Sequence, residues 1–179
     1  DAREQSNSYF EKLLRDRANI IKNADAKVSV AADVLKSKVD LYSHWLVYCN
    51  SLAQIQDLRH ALHGLGIDSL EYHSQLHRSA RKDTISYFTR NGGVLAAVHC
   101  LDQGVDIPKI DAAIIVASST NPREYIQRRG RILRASPNKT FADLNDIVAV
   151  TPDGKVALRS DISRAREIGE FAENRERVL

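Results

Sequence analysis

The sequence predicts an α/β fold: a doubly wound parallel sheet with helices on both faces. Short apolar runs rich in aromatic or β-branched residues alternate with amphipathic stretches of helical length. The run Ala112-Ala113-Ile114-Ile115-Val116-Ala117 is almost wholly apolar, as a strand covered on both faces has to be. At 179 residues, 43% hydrophobic and 27% charged, the chain has the balance of an ordinary globular domain, long enough to bury its core without disulfides or a structural metal.

Each element has its own signal. Over residues 5–35, Tyr9, Phe10, Leu13, Leu14, Ile20 and Ile21 recur at spacings of three, four and seven, which predicts helix. Trp45-Leu46-Val47-Tyr48 reads as a buried strand, followed by a helix over 52–65 that Gly64 and Gly66 end. A strand near 70–72, a helix over 79–90, a turn at Asn91-Gly92-Gly93 and a strand over 94–98 come next. The apolar run over 112–117 precedes a helix over 122–134, a strand over 147–150 and a final charged helix over 160–177. In a sheet of this kind, ligands bind at the loops beyond the carboxyl ends of the strands.

Composition excludes some classes. No apolar run approaches the roughly 18 residues of a membrane span, and no signal-peptide pattern opens the chain, so no membrane partner is expected. Cys49 and Cys100 lie far apart without C-x-x-C spacing, which points to buried thiols in a reducing, cytoplasmic setting. The His60/His63 pair falls on a polar helix face rather than in a zinc motif, and no metal site is expected. A net charge of +3 does not by itself indicate nucleic-acid binding; the placement of the arginines carries more. The absence of methionine and the start at Asp1 point to an excised piece of a longer chain.

The most informative segment runs from Ser119 to Arg134. Asn121 is a good N-cap, Pro122 suits the first helical position, and Glu124 can reach back as in a capping box. Gln127, Arg131 and Arg134 are four and three residues apart, so they share one helix face. A glycine inside a helix costs about 1 kcal/mol relative to alanine, so Gly130 beside Arg131 marks a place where something approaches the backbone closely. Two guanidiniums on a rigid helix suit a phosphate, whose oxygens they bind bidentately. In phosphoryl transfer, such arginines offset charge growing on the γ-phosphoryl group.

Gln127-Arg128-Arg129-Gly130-Arg131-Ile132-Leu133-Arg134 resembles motif VI of superfamily 2 helicases, Q-x-x-G-R-x-x-R. The segment from Ala97 to Pro108, with Gly104-Val105-Asp106-Ile107-Pro108 at its end, resembles their motif V, and the 22-residue spacing from Asp106 to Arg128 fits the family. Leu46-Val47-Tyr48-Cys49-Asn50-Ser51 resembles motif IV, and His73-Ser74-Gln75-Leu76 with Arg78 and Arg81 resembles the motif after the next strand. The resemblance spans about 40–150 and implies a RecA-like domain with N- and C-terminal helical extensions. Its wording is closer to restriction and repair translocases than to RNA-remodelling DEAD-box proteins, which implies a DNA partner in preference to RNA.

Roles follow by position. The resemblance implies that Arg131 and Arg134 are arginine fingers facing a nucleotide γ-phosphate, with Gln127 hydrogen-bonding across the cleft. Gly104, Asp106 and Gly130 fall on the nucleotide side, Asp106 accepting from a ribose hydroxyl. Asn50, His73, Arg78, Arg81 and His99 fall along a nucleic-acid backbone. Many family members carry a threonine six residues before the motif V glycine; Val98 stands there, and its side chain cannot hydrogen-bond. The sequence contains neither G-x-x-x-x-G-K-[ST] nor a D-E-x-x motif, which in two-domain helicases belong to the first RecA-like domain. The expectation is therefore a second RecA-like domain over 37–155, a helical lead-in over 1–36 and a C-terminal helix over 156–179. ATP and Mg²⁺ are expected to be held mainly by the first RecA-like domain, the other partner of this one, so the isolated chain is expected not to hydrolyse ATP. The alternative is a RecA-like module that binds nucleic acid or protein without hydrolysis.

Overall fold

The computed structural model describes residues 2–98, 110–117, 142–170, 172–174 and 176. Strands β1 (His44–Cys49), β2 (Ser69–Tyr72), β3 (Gly93–Val98), β4 (Ala112–Ile115) and β5 (Asp143–Asp146) form a sheet in the order β2-β3-β1-β4-β5. All of these pairings are parallel. Helices α1 (Ala2–Lys22), α2 (Asp25–Lys38), α3 (Leu52–Gly64), α4 (Arg78–Asn91) and α5 (Arg159–Gly169) surround it.

Side chains along a strand alternate between faces, and the core divides accordingly. Trp45, Val47 and Cys49 join Val94, Ala96, Ala112 and Ile114 under α2 and α3, which supply Val28, Ala31, Ala32, Leu35, Ile55, Leu58 and Leu62. Leu46 and Tyr48 join Leu95, Ala97, Ala113 and Ile115 on the other face, against Phe88 of α4 and Ile168 of α5. Both faces are thus covered, as the apolar strands require. The fold is the expected RecA-like α/β architecture, and α2, from within the expected lead-in, is part of its core.

Three elements differ from the sequence expectation; one is the final helix, expected over 160–177, which is α5 and ends at Gly169. The helical region over 5–35 is two helices broken at Asn23-Ala24. The apolar residues of α1 are not buried: Tyr9, Phe10, Leu13, Leu14 and Ile20 are all exposed. The last strand lies four residues earlier than its apolar signal over 147–150. β5 is the polar run Asp143-Leu144-Asn145-Asp146, paired with Ala112–Ile115. It is an edge strand, where polar side chains are tolerated, and charges hold it. Lys38 Nζ donates to Asp143 Oδ2 (2.9 Å) and Asn145 Oδ1 (3.2 Å), while Arg164 grips Asp146. Val150 makes only an isolated antiparallel bridge to Val156. Among the described residues no helix is long and apolar enough to cross a membrane.

The turn into β3 needs glycine for two reasons. Gly92 has φ +73° and ψ −146°, a region almost closed to L-residues. A Cβ there would also collide with the main-chain oxygen of Ser43, which accepts from Gly93 N–H at 2.8 Å. Gly93 has φ +95° but open space around it. Gly92→Ala is expected to cost about 3 kcal/mol, strain plus clash, whereas Gly93→Ala costs only the about 1–2 kcal/mol of a left-handed residue. Urea denaturation of the two variants checks this; equal losses would refute the steric part.

Candidate functional site

The carboxyl edge of the sheet is where the fold gathers its functional candidates. β3 and β4 flank β1, so the chain between them passes from one side of β1 to the other. That crossing makes the carboxyl end of β1 a topological switch point, the usual place for a ligand crevice. Asn50 follows β1 and His73 follows β2, and the carboxyl end of β3 lies between them.

Asn50 is half-buried and engaged. Its N–H donates to Gln54 Oε1 (2.8 Å), and its Nδ2 donates to Asn23 Oδ1 (3.1 Å). Ser51 caps α3 by accepting from Gln54 N–H (3.2 Å), and its hydroxyl donates to the same Asn23 Oδ1 (3.1 Å). Gln54 Nε2 donates to Lys22 O at 2.9 Å, which ties the end of α1 to the switch point. Sequence reasoning missed Gln54, although Ser-x-x-Gln at 51–54 is a capping-box signature.

His73 follows the end of β2, and Arg78 and Arg81 lie in the first turn of α4. His73 is 8% exposed, and its Nδ1 has no hydrogen-bond partner among the described residues. Arg81 is half-buried, with a buried Nε likewise without a partner among the described residues. Arg78, exposed, is the first residue of α4 and lies three before Arg81, so both fall on one face of the first turn. His77 caps this helix through its side chain, which accepts from Ser79 N–H at 3.4 Å. Val98, in the place of the family threonine, packs half-buried on the α2–α3 face of the core. Gly104, Asp106, Gln127, Gly130, Arg131, Arg134 and His99 lie outside the described residues, as do the expected helix over 122–134 and Cys100.

On the other side of β1 the same edge carries a buried charge cluster that sequence reasoning missed. Lys27, 4% exposed, donates from Nζ to Val116 O (3.1 Å) and Ile147 O (2.9 Å). Arg164 Nε and Nη2 form a fork on Asp146 Oδ2 and Oδ1 (2.7 and 2.8 Å), and Nη1 reaches Asp161 Oδ1 (2.8 Å). Burial lowers the Lys27 pKa, an effect that Asp161 and Asp146 oppose. Burial raises the Asp146 pKa, and the Arg164 fork pulls it back. One signal was present: Lys27 stands four and eight residues before Ala31 and Leu35, in line with the buried stripe of α2.

Two other groups are structural. At the amino edge, Ser43 Oγ donates to Asp111 Oδ2 (2.7 Å), and that carboxylate also accepts from His44 N–H (3.1 Å), joining the starts of β1 and β4. Ser43 Oγ also lies 2.8 Å from His44 Nδ1, and with its hydroxyl donating to the carboxylate the group clasps the two strand starts together. Cys49 is buried, and burial pushes its thiol up to about 12, which leaves it inert as a nucleophile. The described residues include no group of three or more His, Cys, Asp or Glu that could hold a metal ion, so none is assigned to Mg²⁺.

The family described as "Helicase conserved C-terminal domain" matches residues 26–136, more than half of the chain. The chain belongs to this family; it is a superfamily 2 helicase C-terminal, RecA-like domain. It is 27% identical over 136 residues to an ATP-dependent rRNA helicase RRP3 of Ajellomyces capsulatus, covering 75% of this chain and 27% of the relative. It is 27% identical over 92 residues to a probable ATP-dependent RNA helicase DDX47 of Mus musculus, covering 51% of this chain and 20% of the relative. Among solved structures, the C-terminal domain of the DEAD-box protein Dbp5 superposes with a TM-score of 0.60 at 18% identity, covering 80% of this chain and 78% of that one. The chain spans about a quarter of the length of these curated relatives.

These relatives correct one expectation. A DNA partner in preference to RNA was expected from the wording of the motifs, yet the curated relatives carry the names of RNA helicases. The motifs describe contacts to phosphate and nucleotide, which DNA and RNA share, so their wording does not separate the two tracks.

Proposed function

We propose that this chain is the second motor domain of an ATP-dependent RNA helicase, supplying arginine fingers and part of the RNA track. One observation carries this reading. The family match runs continuously from α2 through the Gln127–Arg134 segment, so the finger motif and the strand-end residues belong to one conserved-type domain. The names of the curated relatives favour RNA.

On this proposal Arg131 and Arg134 offset charge at the nucleotide γ-phosphate, Gln127 hydrogen-bonds across the cleft, and Asp106 accepts from the ribose. Gly104 and Gly130 permit close backbone approach. ATP with Mg²⁺, held mainly by a first RecA-like domain, supplies the phosphoryl group whose transfer gates closure. Asn50, His73, Arg78, Arg81 and His99 line the track. A buried donor left unmet costs about 1–3 kcal/mol, and a phosphate oxygen at Arg81 Nε would remove that cost.

Such a track grips phosphates rather than bases, so its binding is indifferent to sequence and steeply salt-dependent. Salt titrations of single-stranded RNA with this chain test it. Arg81→Ala is expected to weaken binding evenly across sequences and to lower the salt slope by about one phosphate contact. Unchanged affinity and slope in Arg81→Ala would move the track elsewhere, and tighter binding of the matching DNA strand would remove the RNA assignment.

A further inference from the structure

The Lys27 ammonium joins two points that are far apart in sequence. Val116 follows β4 and Ile147 follows β5, and both main-chain oxygens accept from the same Nζ. The two strands are neighbours, and Ile147 N–H donates to Ile115 O at 2.9 Å beside this junction. Lys38 meets Asp143 at the start of β5, so α2 lies antiparallel to that strand with a lysine at each end. The eleven-residue step from Lys27 to Lys38 rises about 16 Å, close to the about 13 Å from Asp143 to Ile147 along the strand.

The ammonium is buried yet compensated. Asp146 and Asp161 bring two negative charges and Arg164 one further positive, so the four-residue cluster is neutral. A buried charge persists only with partners of this kind. The chain that leaves the sheet past Val116 and returns at Asp143 contains Gln127, Arg131 and Arg134. The cluster holds the departing end through Lys27 on Val116 O and the carboxyl end of β5 through Lys27 and Arg164, while Lys38 holds the return at Asp143.

We infer that Lys27 is a positioning residue for the arginine fingers: its ammonium holds the chain at Val116, where the finger-bearing stretch departs from β4, and ties that point to the carboxyl end of β5. The inference rests on the motor-domain reading for its effect on turnover, but not for its effect on the segment. A displacement of about 1 Å can cost 10²-fold in rate, so a staple at the base of the finger segment controls kcat without touching the nucleotide.

Two measurements test it. In the natural polypeptide that carries this chain, Lys27→Met keeps the stem and removes the ammonium. It is expected to lower kcat for RNA-stimulated ATP hydrolysis about 10²-fold with KM for ATP within about threefold, and Lys27→Arg to restore about a tenth or more of the loss. In a background carrying both Arg131→Ala and Arg134→Ala, Lys27→Met should lower kcat by less than about threefold, because the groups it positions are already gone. Hydrogen exchange on the same protein gives the second readout. Peptides over 118–141 should exchange about tenfold faster in Lys27→Met while those of β1 and α3 keep their rates.

Should Lys27→Met not fold, Asp161→Asn weakens the ammonium's hold and is expected to speed exchange over 118–141 about threefold. Unchanged exchange over 118–141, or an equal rise in every peptide, overturns the inference. Normal turnover in Arg131→Ala instead removes the finger assignment, and the exchange result still decides the staple.

Discussion

Arg131→Ala in the natural polypeptide is expected to lower kcat for ATP hydrolysis by about 10³-fold or more, the scale on which arginine fingers act. The proposed geometry places a guanidinium where charge develops on the transferred phosphoryl group, and such a contact strengthens only in the transition state. Nucleotide affinity should change far less, since on the proposed function the phosphate-cradling loop belongs to another motor domain. Arg131→Lys should restore little, because an ammonium presents a point charge where the guanidinium offers a planar fork. Steady-state kinetics with separate kcat and KM decide the matter. Turnover at the wild-type level in Arg131→Ala would end the finger assignment and leave the binding-module alternative standing.

How much of this was legible beforehand depended on whether a residue's role is local. Trp45–Tyr48 and 112–117 were readable as buried strands because a parallel sheet covered on both faces demands continuous apolar runs. Helices α3 and α4 were readable because their ends carry turn glycines at 66 and 92. β5 was not. Its sequence, Asp143-Leu144-Asn145-Asp146, looks like loop; pairing with β4 makes it a strand, and Lys38, 105 residues away, and Arg164, 18 residues away, meet its carboxylates. The apolar 147–150 run next to it drew the assignment instead.

The break between α1 and α2 was hidden for a related reason. The three-and-four periodicity runs through both helices. The interruption serves a tertiary purpose: it sets Asn23 Oδ1 against Asn50 Nδ2 and Ser51 Oγ at the end of β1. The choice between DNA and RNA was illegible in principle from these motifs. Side chains that grip phosphate carry no information about the 2′-hydroxyl that distinguishes the two.

The C-terminal helix shows the same limit most sharply, and it carries the second large prediction. Residues 160–177 read as a charged helix, and within it Asp161 and Arg164 are only 3% and 5% exposed. Arg164 holds Asp146 at the end of β5 with two hydrogen bonds and Asp161 with a third. Replacing it by methionine keeps much of the volume but leaves the buried Asp161 and the half-buried Asp146 with Lys27 as the nearby cation among the described residues. Removing one partner of a buried pair costs about 3–5 kcal/mol, a large share of the about 5–15 kcal/mol that holds a typical domain folded. Arg164→Met is therefore expected to lower the unfolding free energy of this chain by about that amount, read by urea denaturation. Adding Asp161→Asn should recover part of the loss, since one of the stranded charges is then gone. A loss below about 1 kcal/mol, the range of exposed ion pairs, would mean that the cluster is wet and that α5 is held by Ile168 and its apolar neighbours alone.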